Sequence, residues 1–163
     1  MEERKEKIEQ LHNCMGENLP QIAFAAMDYV EDRAEKAYVF ISYHKGEGES
    51  WTVSCDFFFK HNGRIVEKTE LNTVISSREP EFDISPQFQM EIMTDICNYM
   101  AEVIVAFKNA GEQIPDITKL VINIQTQGMD TNYEYDVFGE SSENMSKTLF
   151  KKWMEEVRAK EEN

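Results

Sequence analysis

Three cysteines, four prolines and seven glycines are all that the 163 residues contain of the types that staple or break a chain. Cys14, Cys55 and Cys97 are odd in number, widely spaced and each set among apolar neighbours. That argues against a disulfide framework and reads as reduced core thiols. The prolines and glycines build no repeat, low-complexity tract or linker, so one domain is expected over residues 1–163. Apolar runs stop far short of the ~20 residues a membrane helix requires. Residues 1–10 are polar with no apolar stretch behind them, unlike a secretory signal, and a cytoplasmic protein is expected. Scarcest of all is positive charge: 17 Lys and Arg stand against 31 Asp and Glu, a formal net charge of −14.

That imbalance is concentrated. Between positions 70 and 143, 14 acidic residues face only Arg78, Lys108 and Lys119. The middle of the chain therefore carries about −11, against −4 before it and +1 from Lys147 onward. Such a field repels nucleic acid and anionic membrane and attracts basic proteins. Many acidic proteins simply solvate their charge. What is present in quantity is apolar and aromatic, 41% and 11%, enough for a proper globular core.

Residues 2–17 are helix formers with Ile8, Leu11 and Met15 at helical spacing. Asn18 can cap a second segment with Pro20 near its first turn, so two helices or one kinked at Pro20 both fit. Aromatic and β-branched residues at 38–43 predict a strand. Residues 46–50 turn the chain, and 51–59 alternate as a second strand with Trp51, Val53, Cys55, Phe57 and Phe59 on one face. His61-Asn62-Gly63 is the strongest turn signal and predicts a hairpin into 64–67. Residues 70–84 read as an irregular connection. Ser85 and Pro86 start a helix running to about Asn109, with Phe88, Ile92, Ile96, Tyr99, Val103 and Phe107 in one stripe and Gly111 as its stop. Leu120, Ile122 and Ile124 alternate in a strand, residues 127–130 turn, and 132–138 return. A last helix is expected from about 144 to 160, capped by Ser141 or Ser142, with Met145, Leu149, Trp153 and Val157 at helical spacing. The order α(α)-βββ-α-ββ-α predicts an α+β domain with a mainly antiparallel sheet of about five strands under packed helices.

Little in this pattern asks for chemistry. His12, His44 and His61 are not spaced as metal ligands, and His44 and His61 read as surface histidines. Gly46-Glu47-Gly48-Glu49 has glycines but carries two carboxylates and no following lysine, so it would repel phosphate. Glu79, Glu81 and Asp83 alternate without the glycine and terminal glutamate of a calcium loop. Lys147, Lys151 and Lys152 read as the solvated side of the last helix. The expectation is no catalytic residue, no metal and no cofactor. An enzyme would require His44, His61 and acidic side chains to converge in one cleft.

The remaining feature is a surface suited to a protein. Asp130, Glu134, Asp136, Glu140 and Glu143 occur with no basic residue between Lys119 and Lys147. In a strand over 132–138, Glu134 and Asp136 would share one face, and Tyr133, Tyr135 and Val137 the other. Like charges on one face cost stability; either water solvates them or a basic partner meets them. Tyr133, Tyr135 and Trp153 would be anchors if exposed.

Through these residues the chain resembles the bacterial immunity proteins of the YezG type. The likeness lies in Ala106-Phe107-Lys108-Asn109-Ala110-Gly111-Glu112, Pro115, the strand at 119–124, Asp130 and Asn132-Tyr133-Glu134-Tyr135-Asp136. Upstream, the 38–43 strand, Trp51 and the Phe57-Phe58-Phe59 to Asn62-Gly63 hairpin match in order and spacing. The resemblance implies a cytoplasmic, non-enzymatic protein that neutralises the C-terminal domain of a cognate LXG-class polymorphic toxin, often a nuclease. The acidic strand would face a basic toxin surface. The basic helix at 146–160 departs from that family's usual ending. The alternative is an acidic adaptor or regulatory module without a toxin, monomeric or dimeric through apolar positions such as Trp153.

Overall fold

The computed structural model describes residues 1–138 and 143–162, with the side chains of Glu143 and Asn144 outside that description. The elements are α1 (Glu2–Tyr29), β1 (Lys36–Lys45), β2 (Trp51–His61), β3 (Arg64–Glu67), α2 (Pro86–Ala110), β4 (Ile117–Asn123), β5 (Gly128–Glu134) and α3 (Glu143–Glu161). The strands form one antiparallel sheet in the order β3-β2-β1-β4-β5. This is the α+β arrangement that the pattern predicts.

The first helix is continuous, and Pro20 lies inside it. A proline there removes one backbone donor and crowds the carbonyl four residues back; that residue is Gly16, which has no side chain to add to the crowding. Asn18 is not a cap. Its Nδ2 donates to the Cys14 carbonyl at 2.9 Å within the same helix. α2 starts as expected, with Ser85 Oγ accepting from Phe88 N and Pro86 in the first turn, and Gly111 closes it at φ +66°. The Asn62-Gly63 turn has both residues at positive φ, the conformation of a tight two-residue hairpin. The caps expected at Ser141 or Ser142 fall outside the described residues.

β1 is the middle strand, and its alternation serves two cores. Ala37, Val39 and Ile41 join Phe57, Phe59, Leu120 and Ile122 beneath α1 and α2. Tyr38 and Phe40 join Phe58, Ile65, Ile117, Phe150, Trp153 and Met154 beneath α3. The sheet is thus covered on both faces, which is why three consecutive phenylalanines at 57–59 are all buried. Stacked and edge-on rings lock each side: Tyr29 with Phe57, Phe59 and Phe88, and Tyr38 with Phe58 at 4.5 Å. Trp153 meets Tyr38, Phe40 and Phe58. It is a core residue, and a dimer anchored there loses its anchor.

The second hairpin differs from expectation. Its turn occupies residues 124–127, with Gln127 at φ +62°, and β5 already begins at Gly128. Asp130 is therefore in the strand, and the strand ends at Glu134, four residues before the predicted end. Asp116 causes this: its Oδ2 accepts from Val137 N at 2.8 Å and Phe138 N at 3.0 Å, drawing the chain off the sheet after Glu134.

Candidate protein-binding face

Strand register places the predicted acidic residues. Ile117, Lys119 and Val121 of β4 lie opposite Glu134, Asn132 and Asp130 of β5. Ile117 faces the core beneath α3, so Asp130, Asn132 and Glu134 share that side of the sheet. Asp130 and Asn132 are exposed, and Glu134 is half-buried. Glu134 is not a free charge: Lys119 Nζ lies 2.7 Å from its Oε2, reaching diagonally across the strand pair. The same ammonium stands 5.2 Å from the Trp153 ring. A small recess of about 130 Å³ between Lys119, Glu134, Leu149, Lys152, Trp153 and Glu156 marks where the flank of α3 meets the outer strands.

Asp136 does not share this face. It follows the strand with φ +53° and accepts from Gln113 Nε2 at 3.1 Å. The shared face expected for Glu134 and Asp136 fails because the strand pattern does not extend that far. Glu140 lies outside the described residues; Glu143 opens α3, and its side chain is outside them too. Of the five predicted partner-binding residues, the fold brings Asp130 and Glu134 together and sets Asp136 two residues beyond the strand end.

Beyond that end lie two recesses that the strand pattern did not reveal. Tyr135, 42% exposed, lines a groove of about 440 Å³ with Ile8, Leu11, Met15 and Phe107. Asp136 lines a second, about 810 Å³, where Tyr43 and Trp51 meet Lys45, Lys108 and Ile114. Gln113 borders both. Lys108 Nζ lies 5.1 Å over the Trp51 ring. Trp51 pairs with Lys45 where the β1–β2 hairpin runs on past the last β1–β4 pair, Ser42 with Ile117, which carries its ring beyond β4 and β5. Tyr133 is more enclosed; burial, followed by the charge of Tyr135, pushes its hydroxyl up to about 12.

His12 borders the Tyr135 groove, and the other two histidines fall elsewhere. His61 is buried, not a surface residue: β2 runs on to it, and residues 74–82 fold across it. Its Nε2 bonds Glu79 Oε2 at 2.8 Å, and its ring stands edge-on to Phe82 at 5.1 Å. Glu79 also accepts from Arg33, Asn62 and the Ser76 amide. The Ser76 N–H, then Asn62, His61 and Arg33, hold its carboxyl down at about 2. His44 stacks on Phe138 at the other end of the sheet, roughly 30 Å of strand away. Glu79, Glu81 and Asp83 do not converge either, since Glu79 is taken up by this knot and Asp83 accepts from Ser85 N. Among the described residues no three His, Cys, Asp or Glu side chains are grouped to hold a metal ion.

All three cysteines are free. Cys55 is buried, and its sulfur lies 3.6 Å from that of half-buried Cys97. No described helix is long and apolar enough to cross a membrane. No known family model matches the chain, and no curated protein matches it significantly.

Proposed function

We propose that this chain is an immunity-type protein that binds and neutralises the C-terminal domain of a cognate polymorphic toxin in the cytoplasm, with no chemistry of its own. The observation that carries the reading is the exposed outer strand. Asp130 and Glu134 stand on one side of β5, with Asp130 exposed, in the segment of the chain where negative charge is densest. A basic toxin surface, such as one that grips nucleic acid, is steered to such a face and held in register by its charged pairs. Tyr135 and the Trp51 groove lie beyond the strand end on the α1 and α2 side of the sheet, and a partner that wraps the rim gains there the aromatic contact area that a few carboxylates cannot supply.

The test is co-expression with the C-terminal domain of a large toxin-like protein encoded beside this chain, scoring growth and pull-down. The expected outcome is rescue together with a complex that withstands purification. Replacing Asp130 and Glu134 with lysine should then weaken it at least about tenfold. Toxicity that persists with every neighbouring candidate, with no complex, would overturn the reading.

A further inference from the structure

The two edges of the sheet are treated differently. At the β3 edge, Ile65 points its backbone outward, and α3 occupies it. Ile65 N donates to Glu162 Oε2 at 2.8 Å, and Ile65 O accepts from Arg158 Nη2 at 3.2 Å. An edge strand invites pairing, and here Arg158 of the last helix and Glu162 just after it close it. The β5 edge has no such cover among the described residues.

Hydrogen-bond phase tells which groups that edge presents. Tyr43 N donates to Asp116 O, and Ile124 N to Glu35 O, so the even-numbered residues of β4 bond toward β1. The odd-numbered residues, Ile117 to Asn123, therefore bond toward β5 at Glu134, Asn132, Asp130 and Gly128. Alternation leaves the N–H and C=O groups of Met129, Thr131 and Tyr133 directed outward.

We propose that β5 takes an extended segment of the partner as a sixth strand, one whose residues alternate basic and apolar. This deepens, and rests on, the reading of β5 as the partner-facing strand. The backbone supplies the pairing, and the two faces supply specificity. On the side toward α3, added side chains would lie beside Asp130, Asn132 and Glu134; on the other side, beside Met129, Thr131 and Tyr133. Lysine or arginine suits the first row, and β-branched or apolar residues suit the second. A second copy of this chain is a poor occupant. Symmetric antiparallel pairing of two β5 strands keeps both copies of Asp130, which no described ion pair offsets, on one face, where they repel.

The test uses the peptide acetyl-Lys-Val-Lys-Val-Lys-Val-Lys-amide against the ¹⁵N-labelled full chain, beside a peptide of the same composition with its lysines contiguous. The alternating peptide should shift the amides of Met129, Thr131 and Tyr133 and bind more tightly than the block peptide. Thr131→Pro removes an outward N–H without touching the ladder to β4, so it should weaken binding about tenfold or more with unchanged thermal unfolding. Should that variant unfold, a peptide N-methylated at every central residue serves instead and should bind about tenfold more weakly to the natural chain. No saturable binding up to about 1 mM peptide, shifts confined to other elements, or equal binding by Thr131→Pro or by the methylated peptide would overturn the inference. A toxin domain that binds the natural chain and Thr131→Pro alike removes the strand-addition mode while the immunity reading stands. Edge-specific peptide binding with no toxin partner removes the immunity reading and leaves the mode.

Discussion

Replacing Trp153 with alanine separates a core residue from a partner anchor. The indole is 9% exposed and touches Tyr38, Phe40 and Phe58 from α3. A tryptophan buries roughly 200 Å², which at about 25 cal/mol/Å² is ~5 kcal/mol. Residual structure in the unfolded chain and the retained alanine lower that figure, while the cavity left beneath α3 raises it, so a loss of about 3–5 kcal/mol is expected. For a chain of this length, each kcal/mol shifts the melting temperature by roughly 2–4 °C, a drop on the order of 10 °C. Urea unfolding followed by circular dichroism, with Phe59→Ala as the matched change in the opposite core, measures it. The midpoint should fall by similar amounts in both variants, with an unchanged slope and no dependence on protein concentration. A loss under about 1 kcal/mol for Trp153→Ala alone, or a concentration-dependent midpoint that the substitution abolishes, would refute the assignment of Trp153 to the core.

Glu79 titrates far below its ordinary 4.5, at about 2, because the folded chain donates hydrogen bonds to its charged form. Its contribution is fully present above about pH 4.5 and is lost as pH falls through 2, so Glu79→Gln should show a smaller drop in stability between pH 5 and 2.5 than the natural chain, by denaturant titration at each pH. Gly111→Ala places a side chain at φ +66° and should cost about 1 kcal/mol, read as a lowered urea midpoint with the fold retained. Ser146→Ala breaks a buried bond to Ser42 at 2.5 Å, the link between the start of α3 and β1, and should cost ~1 kcal/mol and speed amide exchange in the first turns of α3.

Element existence was legible wherever local chemistry and periodicity agreed. Ser85-Pro86 and Gly111 bracket α2, Asn62-Gly63 makes its hairpin, and the apolar stripe of α2 packs as spaced. Boundaries were legible only where a turn residue marks them. The end of β5 depends on Asp116, a residue 18 positions before Glu134 whose carboxylate captures the backbone after the strand; nothing in the 132–138 alternation signals that. His61 was misplaced for a similar reason. A turn sequence beside it says surface, and a loop from 74–82 covers it through contacts that local pattern does not encode.

The candidate site divides along the same line. The concentration of charge on the middle of the chain, and the naming of Asp130, Glu134 and Asp136 as candidates, follow from composition and alternation, which are properties of neighbours in sequence; alternation paired Glu134 with Asp136, and the fold instead puts Asp130 in the strand on Glu134's side. That β5 is an outer strand, that its outward amides are those of Met129, Thr131 and Tyr133, and that α3 seals the opposite edge follow from strand order and hydrogen-bond phase. Those are set by which strands pair, and pairing is decided by burial of two cores at once: β1 must take the centre because both of its faces are apolar, and that choice pushes the polar, one-faced β5 to the rim.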